Sequence, residues 1–145
     1  MGTSRIITSA IAATSAMTLF SYISSRPKKR NFKEPQLLAF LVRPYLSDID
    51  HRLVSPAGWI LHYGMGAVLA GVLHQSWKQH RKASKLKKGL VSGVLSGLSG
   101  ILIWKTIFSI HPAPPRIHFN RFYPHLLLAH FVYSLSLVAL DDRQK

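Results

Sequence analysis

The stretch GWILHYGMGAVLAGVLHQSW, residues 58–77, decides the fold class. It carries no charged residue, and Trp59 and Trp77 stand near its two ends. A helix needs about 20 predominantly apolar residues to cross the hydrocarbon core of a bilayer. Tryptophans collect where that core meets the headgroups. The stretch also holds His62. An imidazole in such surroundings has to be hydrogen-bonded, bound to something or reachable by water.

The same pattern recurs on both sides. The chain has 145 residues, 48% of them hydrophobic, and its 19 Lys and Arg against 5 Asp and Glu give a net charge of +14. A nucleic-acid binder would spread that excess over a folded face. Here the charges fall between four charge-free gaps of 20, 25, 16 and 19 residues, opening after Arg5, Arg52, Lys88 and Arg121. Basic residues in loops between apolar blocks are interfacial anchors, so the partner of the charge is a lipid surface and not nucleic acid. With no cysteine there is no disulfide, thiolate metal site or cysteine nucleophile.

These observations predict an all-α, single-domain chain (1–145): a four-transmembrane-helix bundle with spans at about 6–24, 57–77, 89–110 and 124–140. The first follows Arg5 as a signal peptide would. However, its apolar run is long, filled throughout with small residues and without a clear cleavage site, so it reads as a retained span. Its many hydroxyls suit the inside of a bundle. Between the first two spans, Leu37, Leu38, Leu41, Val42 and Tyr45 recur at helical spacing, with Glu34 and Pro35 at the helix start. They predict a short amphipathic surface helix limited by Pro44; a loop folded over the bundle is the alternative.

Two spans carry small-residue ridges. Gly89, Gly93 and Gly97 repeat at four-residue intervals, and Gly66 with Ala70 does the same near His62. This spacing makes a flat face for close helix packing. The second and third spans are the economical pair, although the ridge does not say whether its partner lies in the same chain, a second copy or another membrane protein. Four spans place both termini on one side. The Lys and Arg counts of the two sides, nine and ten, do not orient the chain. The density of charge at 78–88 leans towards cytoplasmic termini.

The motifs AMTLFSY (16–22), EPQLL (34–38), GWILHY (58–63), HPAPP (111–115) and LLLAHFVY (126–133) occur in this order. Together they resemble a group of small uncharacterised four-span bacterial integral membrane proteins with no known activity. The resemblance covers nearly the whole chain. It implies the topology and a location in the cell (inner) membrane, and nothing about chemistry.

No catalytic template is present: no GxSxG, HExxH, phosphate loop or GxGxxG. No acid lies within a span, so no carboxylate proton relay is expected. The histidines are the informative residues, and six of the eight fall on one side: His51, His62, His111, His118, His125 and His130. His62 and His130 lie roughly 8–9 Å into their helices from that side and should face the interior at similar depth. They are candidates for binding a cofactor such as haem, and with His111 and His125 for binding a metal. Interhelical hydrogen bonding is the leading reading of the pair, ahead of a ligand or metal role, and a proton or substrate path is the third. Lys105 is expected to snorkel to the interface.

Alkaline carbonate washing tests the class. The protein should stay in the membrane pellet, because apolar spans are not released by removing charge. Recovery in the supernatant would rule out the bundle.

Overall fold

The computed structural model describes residues 3–26 and 32–141. Among them every regular element is helical: α1 (Thr3–Ser25), α2 (Glu34–Asp50), a single 3-10 turn (His51–Leu53), α3 (Val54–Gln79), α4 (Lys85–Ile110) and α5 (Phe119–Ala139). Four segments are long and apolar enough to cross a membrane: Ser4–Ser25, His51–Gln79, Lys85–Ile110 and Phe119–Ala139. The solvent logic is that of lipid. Ile60, Val68, Val72, Leu95 and Leu102 are exposed, whereas Thr14, Thr18, Ser21, His62 and Ser134 are buried. With no water to satisfy them in a bilayer, polar groups turn towards protein.

Pairing differs from the sequence expectation. α3 barely touches α4; it packs on α1, and α4 packs on α5. α1 lies between α3 and α5. The small residues explain the choice. A side-chain carbon at Gly66 would collide with the Thr14 hydroxyl of α1. Carbons at Gly89, Gly93 and Gly97 would meet Leu135, Phe131 and Leu127 of α5 at 2.7, 2.6 and 2.5 Å. The partners descend α5 as the glycines ascend α4, so the pair is antiparallel with bulky side chains seated in glycine notches. Each ridge is used within the chain, but on a partner other than the one proximity in sequence suggests. One link between α3 and α4 is a bond from the Trp77 indole N–H to Ser92 Oγ, 2.9 Å.

Two proline expectations are corrected. α2 continues past Pro44 to Asp50, and α5 begins five residues before Pro124. Pro44 is exposed, as is Phe40, whose carbonyl loses its helical partner, so the missing N–H falls on an exposed face. Ahead of Pro124, the fully buried Phe122 packs edge-on against Trp104 and close to Phe108, and this cluster holds the added turn in place. The buried face of α2 comprises Leu37, Leu38 and Leu41; Tyr45 is exposed, not part of that face.

α2 crosses one end of the bundle, packing on α3 and reaching α1, α5 and the residue that follows α4. Glu34 meets Ser21 of α1 and His125 of α5. The backbone at Pro35 and Ala39 lies against Gly58 of α3. The Leu41 carbonyl accepts a bond from His111, the residue that ends α4, at 3.1 Å. The helix between the first two spans is therefore a cap on the bundle as well as an amphipathic segment.

Gly93→Leu and Gly97→Leu should each lower thermal stability in detergent by about 1–3 kcal/mol or more, the usual result of overpacking. At these sites the added carbon also approaches the α5 backbone, at 3.1 and 3.2 Å, and backbone cannot rotate away. Gly71→Ala is the control: it has open space and should be neutral or slightly stabilising. Wild-type stability in both leucine variants would show that α4 and α5 are not closely packed.

Candidate functional site

The polar interior is built on α1. Thr14, Thr18, Ser21 and Ser25 follow four-, three- and four-residue steps along one face, and all are buried. Two of them return their hydroxyl protons to their own helix, Thr18 to the Thr14 carbonyl and Ser25 to the Ser21 carbonyl, both at 2.7 Å. Their oxygens remain free to accept bonds from neighbouring helices.

This fixes the state of His62. It lies 2.9 Å from Thr18 Oγ1, whose single proton is already given to Thr14. His62 must therefore donate from Nε2. His62 is 7% exposed, and Gly58, His62, Gly66 and Ala70 form one buried ridge. His130, 9% exposed, donates from Nδ1 to the Leu126 carbonyl at 2.8 Å, which leaves the Nε2 lone pair unprotonated in the neutral ring. The His130 ring rests against Gly100, where a side-chain carbon would fall 2.8 Å from Cε1.

The two rings share a level. Thr18 marks the depth of His62 on α1, and Ser21 marks that of His125 on α5. Five residues further along antiparallel α5, His130 lies near the level of residue 16, within about 3 Å of His62 along the axis. About a turn deeper, Tyr133 of α5 donates to the Gly66 carbonyl of α3 at 2.6 Å.

The other two metal candidates lie at the α2 end. Both ring nitrogens of His111 are engaged: Nε2 donates to Leu41, and Nδ1 accepts from the Ala113 N–H at 3.2 Å. His125 is stacked between Phe20 and Phe32, with ring centroids 5.2 and 4.4 Å away. Among the described residues no three His, Asp or Glu side chains converge as a metal site would require. Lys105 is exposed, the position from which a stem can snorkel.

Glu34 changes the picture of the acids. It lies outside the spans, as the sequence indicates, yet it is 1% exposed. Ser21 Oγ donates to its Oε1 at 2.8 Å, and His125 Nε2 lies 3.0 Å from the same hydroxyl and 4.0 Å from Oε1. The carboxylate's second oxygen, Oε2, is buried without a hydrogen-bond partner. Burial pushes the carboxyl up to about 7, against a partial offset from its own backbone N–H and the Ser21 hydroxyl. The residue types are those of a hydrolytic triad, but their order is not. A nucleophilic serine gives its proton to histidine and faces a substrate. Ser21 gives its proton to the acid and is fully buried.

Sequence reasoning placed His62 and His130 and missed Glu34, Ser21, Gly100 and the Tyr133 bond. The hydroxyl spacing on α1 was a readable signal. The burial of Glu34 was not, because it depends on α2 folding back across α1 and α5. Comparison with protein-family models, curated proteins and solved structures finds no match for this chain.

His62→Ala should destabilise the protein by more than His80→Ala, since His80 is exposed and bonds only within its own helix. Tyr133→Phe should cost about 0.6 kcal/mol, the average for an interhelical hydrogen bond in a membrane protein. Thermal unfolding in one detergent ranks the three variants. Equal stability of His62→Ala and His80→Ala would refute the interior bond.

Proposed function

We propose that the chain is a multi-pass protein of the cell (inner) membrane, a non-enzymatic helical bundle acting in membrane assembly or interaction. The observation that carries this reading is on α3. Gly66 is consumed against α1, but Gly64 and Gly71 have open space where a side-chain carbon would sit. With Val68 they form an exposed outward strip. Such a strip suits a helix of a second copy or of another membrane protein. The resemblance to four-span bacterial envelope proteins supports the location.

One arrangement favours a second reading, a small transporter or a ligand-, haem- or metal-binding membrane protein with its site at His62 and His130. The rings share a depth, and the buried Thr14 Oγ1 and Ser134 Oγ in the same interior have no hydrogen-bond partner. Buried polar atoms of this kind call for an explanation such as water or a ligand.

Purification from native-like membranes separates the readings. A stoichiometric protein partner or a stable homo-oligomer supports the first; a co-purifying chromophore or metal lost in His62→Ala supports the second. Under the first reading, Gly64→Leu and Gly71→Leu should reduce association with thermal stability unchanged. Association that survives both substitutions would overturn the α3 strip as the contact.

A further inference from the structure

The cluster at the α2 end is not used by either reading, and its chemistry is that of a proton site. Glu34 and His125 are bridged by one hydroxyl that can accept from either and donate to the other. When Ser21 donates to Glu34, His125 donates from Nε2 to Ser21. When His125 is an imidazolium, the Ser21 proton can pass to Glu34 as the His125 Nε2 proton passes to Ser21, so that each group keeps its hydrogen bond, His125 ends as neutral imidazole and the direction of the chain reverses. Protonated Glu34 then donates to Ser21, and Ser21 donates to His125 Nε2. No atom is gained or lost. With one added proton the pair is neutral overall, either as carboxylate with imidazolium or as carboxylic acid with neutral imidazole. Without it, neutral imidazole stands beside a buried carboxylate with one unpartnered oxygen. An uncompensated buried charge is the costly state.

We propose that Glu34, Ser21 and His125 form a proton-binding site, and that the bound proton holds α2 across the end of the bundle. The titratable and charged groups around the site can be named helix by helix. From α1 there is Tyr22, with the Lys33 ammonium 4.9 Å from its ring centroid. From α5 there is His125. α3 contributes Gly58 and Trp59 here, neither of them titratable. From α4, His111 meets α2 at Leu41, two turns beyond Glu34. Phe20 and Phe32 cover both faces of His125 and keep the site apolar, which favours the carboxylic acid with neutral imidazole. The linkage has a definite sign. The folded carboxyl titrates at about 7 against an ordinary 4.5, so in that window the docked state binds more protons than the undocked one. Docking therefore weakens as pH rises from 4.5 to about 7, then levels off.

The chain has no cysteine, so one reporter suffices. Leu38→Cys, on the buried face of α2, is introduced into the full-length protein in lipid nanodiscs, with and without Glu34→Gln. Maleimide labelling of the two proteins is compared as a ratio at each pH, which cancels the thiol's own pH dependence. The ratio should rise several-fold between pH 4.5 and about 7 and level off above that, because glutamine keeps the Ser21 bond without a titrating proton. Infrared difference spectra should show a protonated-carboxyl band that disappears as pH passes through about 7 and is absent from Glu34→Gln. Ser21→Ala should move its midpoint upward, since the hydroxyl stabilises the carboxylate. A flat labelling ratio, or a Glu34 band that titrates at the ordinary carboxyl value, would overturn the proposal.

Discussion

The structure depends on one constraint: in a hydrocarbon solvent, a polar side chain must find its partner inside the protein. α1 concentrates that requirement. Its Thr14, Thr18, Ser21 and Ser25 would be poor contacts for lipid and are buried without exception. Each neighbouring helix answers part of the demand. α3 brings His62 to Thr18, α5 brings His125 to Ser21, and Ser25 accepts the backbone N–H of Phe32 at 3.1 Å on the approach to α2. A span rich in hydroxyls thus joins α3 to α5, and apolar faces of the other helices turn outward.

Small residues and polar residues play complementary parts. Glycine ridges bring backbones close but do not choose among faces of similar flatness. Hydrogen bonds add that choice. Gly66 lets α3 approach α1, while the bond between Tyr63 and Ser15, 2.9 Å, and the bond from His62 to Thr18 set the antiparallel register between them. α4 lacks such bonds to α5 along its ridge and relies on Leu127, Phe131 and Leu135 filling the notches left by its glycines. The first interface is specified by polar pairing, the second by shape.

Much of this was legible in the chain. Charge-free gaps located the spans, because length and charge suffice for insertion. The ridge through residues 58, 62, 66 and 70 placed His62 inside, because helical periodicity fixes which residues share a face. What could not be read was which ridge meets which. Gly66 and Gly93 are equally flat, and the decision rests on Thr14 and Phe131, residues far away in sequence whose match to a given glycine is a property of the assembled bundle. Proline was misleading for a related reason. Pro44 and Pro124 each remove one hydrogen bond, a local loss that the exposed face of α2 and the Phe122 cluster absorb.

Helix order is where the account is most exposed, and disulfide cross-linking in native membranes tests it most directly. Two double-cysteine variants of the cysteine-free chain are compared. Ser15→Cys with Tyr63→Cys joins α1 to α3, where the native side chains touch. Gly71→Cys with Leu98→Cys would join α3 to α4 in the register of the Trp77–Ser92 bond, although both residues are now exposed. The account predicts rapid intramolecular closure of the first pair and little of the second. Rapid closure of the second with none of the first would contradict it, and would make α4, not α1, the neighbour of α3.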